Sequence, residues 1–226
     1  CSAENIIYPP FVKKNATGTY VAVKEREQLL TYFLQNIFRK PSFRHGQLPI
    51  LSRSLSDKTT IGLLPTGGGK SLTYQLSSIL QPGVTIVVDP LVSLMVDQVR
   101  GLHTLRIDAS DCVNGGMDGK TKAKKLNMLQ NGSLQFMLLS PERFMMENFR
   151  ESLISMTEKN QIYFAYGVID EVHCVSEWGH DFRPSYLHLG RNMINYMHTK
   201  TGRPLSVIGL TATASFDVLA DVEREL

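Results

Sequence analysis

The stretch Leu64-Pro65-Thr66-Gly67-Gly68-Gly69-Lys70-Ser71 combines three glycines, a lysine and a hydroxyl in the order that suits a phosphate group. It follows the apolar run Ile61 to Leu64 and precedes Leu72, Leu76, Ile79 and Leu80 at helical spacing, which places it on a strand-to-helix turn. Consecutive glycines let backbone N–H groups turn toward one anion, and the helix start adds its positive dipole end. From there Lys70 reaches β/γ-phosphates and the Ser71 hydroxyl holds Mg²⁺, with Thr66, Gly67, Gly68 and Gly69 forming the cradle. The strict phosphate-loop pattern has Gly where this chain has Leu64.

A second pair of candidates is Asp170-Glu171, placed directly after the apolar strand pattern Tyr163 to Ile169. Two adjacent carboxylates can divide the work at a nucleotide. Asp170 holds the metal, while Glu171 orients or deprotonates an attacking water. Thr211 and Thr213 flank Ala212 at the end of another strand pattern, Leu205 to Leu210. Their hydroxyls serve either as a relay beside the carboxylates or, for Thr213, as a cap on the following helix. Trp178, Phe182, Arg183 and Tyr186 lie within nine residues of mostly polar chain. Such planar side chains either stack on unpaired bases or plug the core beneath a loop.

The elements that must position these groups alternate along the chain. Leu29, Leu30, Phe33, Leu34, Ile37 and Phe38 recur at helical spacing within 23–38, and the pattern stops before Pro41. Val84 to Val88 is a β-branched run that suits a strand buried on both faces. A helix over 91–102, a short strand over 109–113, a helix over 120–129 and a strand over 134–139 follow. Helices over 142–154 and 185–197 flank the Asp170 strand, and a last helix runs to the end of the chain. This alternation predicts an α/β domain, a doubly wound, mostly parallel sheet with helices on both faces, whose ligands bind at the carboxyl ends of the strands. Residues 1–22, with Pro9-Pro10 and Gly18 and no sustained period, read as an arm or linker before a domain spanning 23–226.

Hydrophobic content of 42% and charged content of 20% are ordinary for a globular domain, and the net charge of +3 is too small to argue a polyanionic partner alone. No apolar run approaches a membrane span, so no membrane partner is expected. Three scattered cysteines without a CxxC pair argue against a zinc site within this segment. The chain opens on Cys1 and ends inside a helical pattern, so it is expected to be part of something longer.

Pro65 to Ser71, Asp170-Glu171-Val172-His173-Cys174, Ser176 to Pro184 with Tyr186, and Thr211-Ala212-Thr213 together resemble the first motor lobe of the RecQ family of DNA helicases, in superfamily 2. The resemblance runs from about Leu34 to the end of the chain, and the loop from Trp178 to Tyr186 is its most specific part. It accounts for Leu64, since that family's phosphate loop also lacks a Gly there. It implies a RecA-like P-loop NTPase lobe that uses ATP and Mg²⁺ and couples hydrolysis to movement along single-stranded DNA and duplex unwinding, 3′ to 5′, in DNA repair or recombination. Single-stranded and forked DNA are the implied partners, together with a second motor lobe that supplies an arginine. The segment alone is then expected to bind nucleotide weakly and hydrolyse it poorly. A cytoplasmic or nucleoid location is implied in a bacterium and a nuclear one in a eukaryote.

The resemblance also assigns roles residue by residue. Arg44 would stack on adenine, and the Gln47 amide would accept from adenine N6 and donate to N7. Leu91 and Ser93 form one DNA-backbone motif and Pro141, Glu142 and Arg143 a second, while His173 links the acidic motif to Thr211 or to the DNA-sensing loop. The chain departs from the family at Arg39-Lys40, where Gly-Tyr is common, and at Asp89, where Ser is more usual. A nucleotide-gated binding or remodelling module without unwinding, and an RNA helicase, remain alternatives.

Overall fold

A computed structural model describes residues 4–176, 183–213 and 215–226. A short hairpin, β1 (Val12–Lys14) and β2 (Tyr20–Ala22), leads into helices α1 (Lys24–Asn36) and α2 (Gln47–Leu55). Strands and helices then alternate as β3 (Thr60–Leu63), α3 (Lys70–Ile79), β4 (Val84–Val88), α4 (Val92–Thr104), β5 (Ser110–Val113) and α5 (Gly119–Gln130). They continue as β6 (Phe136–Leu139), α6 (Glu147–Glu158), β7 (Phe164–Asp170), α7 (Leu189–Tyr196), β8 (Ser206–Thr211) and α8 (Phe216–Glu225).

The six later strands form one sheet in the order β3-β8-β7-β4-β6-β5, and every neighbouring pair is parallel. Parallel strands must be covered on both faces by their crossover helices, and the side chains divide accordingly. Val84, Ile86 and Val88 of β4 enter one core with α6, α7 and α8, whereas Val87 enters the other with α3 and α4. Because all six strands run the same way, the loops after them share one edge. The phosphate-type turn, Asp89, Ser140, Asp170 and Thr211 all leave the sheet there.

Three features differ from the expectations drawn from the sequence. Residues 6–12 of the segment read as an arm pack against the folded body. Phe11 is buried in a third core with Leu30, Leu34 and Leu51, the Tyr8 N–H donates to the Leu55 carbonyl at 2.8 Å, and Gln81 exchanges two hydrogen bonds with the Ile6 backbone. Helix α2 has no counterpart in the sequence reading, and it contains Pro49, a residue that breaks helices in their interior. It sits in the first turn, where its missing N–H costs nothing, behind Gly46 at φ 84°. The single helix expected from 142 is instead a 3-10 turn, Pro141–Met145, followed by α6. The Arg150 guanidinium donates to the carbonyls of Phe144 and Met145 at the break, at 3.0 and 3.3 Å. Likewise Pro184–Tyr186 is a separate 3-10 turn, and His188 at φ 60° divides it from α7.

Burial of Phe11 gives the first test. Phe11→Ala should destabilise the chain by about 3 kcal/mol or more, the range for deleting a buried aromatic, as measured by denaturant unfolding. A dangling arm would leave the midpoint unchanged.

Candidate functional site

The turn between β3 and α3 is held from below. Leu64 is buried in the core with Ile50 and Tyr74 and its N–H donates to the Thr211 carbonyl at 3.1 Å, so the residue that departs from the strict glycine pattern anchors the turn. Gly67 and Gly69 have φ of 75° and 78°, a region that favours glycine, and a Cβ on Gly69 would lie 2.5 Å from Gln47 Nε2. The Gly68 N–H donates to the Pro65 carbonyl at 2.8 Å. Thr66 is exposed and Ser71 lies half-buried in the first turn of α3.

Gln47 is tied into the glycine turn by its own side chain. It is 2% exposed, its Nε2 donates to the carbonyls of Gly68 and Gly69 at 3.0 and 3.1 Å, and its Oε1 accepts from the Arg44 N–H at 2.8 Å. Both amide hydrogens are therefore committed, leaving one acceptor lone pair of the amide. The expected donation to adenine N7 would need one of the loop carbonyls to be given up. The Arg44 guanidinium donates to the Gly67 carbonyl, which places it on the same loop.

Across the turn, Asp170 ends β7 and Glu171 follows at φ 51°, ψ 45°, a left-handed conformation that is uncommon for a non-glycine residue. Lys70 Nζ lies 2.5 Å from Glu171 Oε1 and 3.9 Å from Asp170 Oδ1. Burial pushes the Asp170 carboxyl above its usual range, against the opposing pull of the Lys70 ammonium and with reinforcement from Glu171. Glu171 Oε2 is 3.3 Å from His173 Nδ1, and that nitrogen is 2.8 Å from Thr211 Oγ1. The Thr211 hydroxyl donates to the Thr213 carbonyl at 2.8 Å, so its proton is committed and His173 Nδ1 must be the donor. One polar chain thus runs from the glycine turn through the carboxylates to the end of β8.

The residues expected to meet nucleic acid lie on the same edge but are not equivalent. Leu91 caps α4 without a side-chain hydrogen bond and is 44% exposed, and Ser93 is exposed beside it. Pro141 is buried, Glu142 is exposed, and Arg143 is half-buried with its guanidinium on the Met146 sulfur. Arg183 Nη1 donates to the Pro90 carbonyl at 3.4 Å and the Ser185 hydroxyl to Glu142 Oε1 at 3.3 Å, which joins the three loops into one surface. Thr213 is exposed and Thr211 buried. Trp178 and Phe182 lie outside the described residues. Tyr186 corrects the expectation of base stacking: its ring is 1% exposed and its hydroxyl donates to the Asp170 carbonyl at 3.0 Å. An aromatic ring enclosed in the core has no face for a base, and it steadies the end of β7 instead.

Sequence reasoning noted Asp89 only as a departure. Its carboxyl is fully buried at the end of β4, where Oδ1 accepts from the Leu91 N–H at 2.8 Å and Oδ2 from Gln98 Nε2 at 3.1 Å. Burial pushes it up from 3.8 to about 7, the Leu91 N–H pulls the other way, and the nearby charge of Asp170 adds to the rise. The unfolded chain ionises this group near pH 4 and the folded chain only near pH 7. The folded state therefore holds the extra proton in that window, and stability contributed by Asp89 is lost as pH rises through it. Asp89→Asn should gain a few kcal/mol relative to the parent between pH 5 and pH 8, read from thermal melts at both values. A difference independent of pH would show that the carboxyl carries no such cost.

The chain matches the DEAD/DEAH box helicase family over residues 44–222. It is 40% identical over 189 residues to the probable ATP-dependent DNA helicase RecS of Bacillus subtilis, a match that covers 84% of this chain and 35% of that protein. It is 35% identical over 193 residues to the ATP-dependent DNA helicase RecQ of Haemophilus influenzae, covering 85% of this chain and 29% of that one. The chain thus spans about a third or less of the length of these curated relatives. Its fold is similar to that of the Mycobacterium smegmatis helicase Lhr bound to single-stranded DNA and AMP-PNP, with a TM-score of 0.61 at 22% identity over 90% of this chain and 26% of that one.

Proposed function

From the premise that this chain belongs to the DEAD/DEAH box helicase family, with RecQ-type DNA helicases among its relatives, we propose that it is the ATP-binding motor lobe of a DNA helicase. In this reading the whole protein couples ATP hydrolysis to movement along single-stranded DNA and to unwinding, and it acts wherever the cell keeps its DNA. The observation that carries the reading is the continuous chain Lys70–Glu171–His173–Thr211, which joins the glycine turn to the loops on the nucleic-acid edge. Among the described residues no helix is long and apolar enough to cross a membrane.

The buried Asp170 carboxylate and the Ser71 hydroxyl are hard oxygen donors of the kind Mg²⁺ takes, and Asp170 already has a cation beside it. They would hold Mg²⁺, which neutralises charge on the β- and γ-phosphates when bound. Lys70 binds the same phosphates. When it does so its ammonium leaves Glu171, whose carboxylate is then available to orient and deprotonate the attacking water. His173 keeps the other Glu171 oxygen directed, and its bond to Thr211 carries that orientation to the end of β8. Arg44 lies against the base, and Gln47 reads adenine N6 with its remaining lone pair. The backbone and hydroxyl groups at the start of α4 and in the Pro141 turn contact DNA phosphates without reading sequence. Movement from 3′ to 5′, forked substrates and a second lobe that completes the site belong to the same proposal.

Glu171→Gln in the full-length protein should leave ATP binding within about twofold and lower turnover at least 100-fold, the scale of a lost general base. Equal losses in binding and turnover would remove Glu171 from that role. Trp178→Ala should keep DNA-free hydrolysis while abolishing stimulation by single-stranded DNA. Stimulation by RNA equal to that by DNA would favour an RNA helicase, and stimulation without strand separation would favour a remodelling module.

A further inference from the structure

The start of α4 has little support of its own. Leu91, Val92 and Leu94 are 44%, 45% and 40% exposed, and Leu91 caps the helix without a side-chain hydrogen bond. Two contacts hold its approach from outside the helix: Arg183 on the Pro90 carbonyl and the Asp89 carboxylate on the Leu91 N–H. The second oxygen of Asp89 does not end there. It takes the Gln98 amide, two turns further along α4, and Gln98 Oε1 accepts from the hydroxyl of Tyr74 on α3. Tyr74 is fully buried and lies one helical turn after Lys70. A serine, the more usual residue at position 89, could reach the Leu91 N–H, but its single oxygen is too short to bridge to Gln98 as well.

We propose that Asp89 is a positioning residue that ties the start of α4 to α3 through Gln98 and Tyr74, so that the nucleotide-facing and nucleic-acid-facing helices shift as one body. The inference rests on the reading that α3 carries the nucleotide site and that α4 begins on the nucleic-acid edge. Each link is partly buried and involves either the fully buried Asp89 carboxyl or the enclosed Tyr74 hydroxyl, so breaking it leaves a buried polar group short of a partner. A shift of Lys70 between carboxylate and phosphate displaces the first turns of α3. Tyr74 carries that displacement to Gln98, and Asp89 carries it to the Leu91 backbone. This path is separate from the Glu171–His173–Thr211 chain, which leaves the site on the other side of β7.

The test uses the full-length protein with Asp89→Ala, Tyr74→Phe and the double substitution. Hydrolysis is measured with and without an oligothymidylate, and amide exchange of residues 91–98 with and without ADP and Mg²⁺. Each single substitution should leave DNA-free kcat and the KM for ATP within about twofold of the parent. Each should lower stimulation by DNA roughly fivefold or more, the scale of a lost coupling of sites. The double variant should be no lower than the worse single, because both break one path. The nucleotide-dependent change in exchange at the start of α4, expected in the parent, should disappear in all three. Stimulation and exchange that survive either substitution would overturn the proposal, as would an additive double variant or a parent whose exchange over 91–98 ignores nucleotide. A parent that DNA does not stimulate would sink the helicase reading instead, and the exchange measurement would still decide the role of Asp89.

Discussion

The contact between Lys70 and Glu171 joins residues 101 apart in sequence, and the site depends on it. Asp170 and Glu171 stand together at the end of β7, and such a concentration of negative charge inside a protein is unfavourable without a cation. Lys70 supplies that charge from the first turn of α3. It can do so only because the glycine turn delivers the helix start to the carboxyl ends of β7 and β4. The sheet order, which sets β8 between β3 and β7, then puts Thr211 within reach of the same cluster. Fold and site are consequently parts of one electrostatic problem, which Lys70 answers in this structure.

Much of this was legible in the sequence where the signal is local. The glycines before Lys70 report a turn because backbone conformation restricts what can stand there. Val84 to Val88 reports a doubly covered strand because every position is apolar or β-branched. Asp170-Glu171 was legible from its place after such a strand. Composition separated less well where one residue type serves two environments. Tyr186 has the same chemistry whether it stacks on a base or fills a core, and only the path of the chain after Arg183 decides that it is enclosed. Helix α2 is short and carries Pro49, whose effect reverses between the interior and the first turn of a helix, so its sequence does not announce it.

Longer-range pairings were harder still. That Asp89 lies beside Asp170 follows from the pairing of β4 with β7, which nothing in either strand announces. The hold of residues 6–11 on the body combines the burial of Phe11 with bonds to scattered polar groups, Ser52 Oγ and the Gln81 amide, in segments whose apolar pattern explains only their own burial. Irregular segments carry such bonds because their backbone groups need partners outside a ladder or a helix, and those partners can come from anywhere in the chain.

The committed donors of the Gln47 amide have a consequence for how a base would be chosen. A side chain with free donors adds hydrogen bonds when its ligand arrives, and its preference appears directly as affinity. Gln47 can still accept through its remaining lone pair, but to donate it would have to exchange one partner for another, and exchange between comparable hydrogen bonds is nearly neutral in free energy. What changes is the number of ties on Gly68 and Gly69. Selection among purines would then be registered in how readily the phosphate cradle rearranges, so that a wrong base is held almost as well but is processed more slowly.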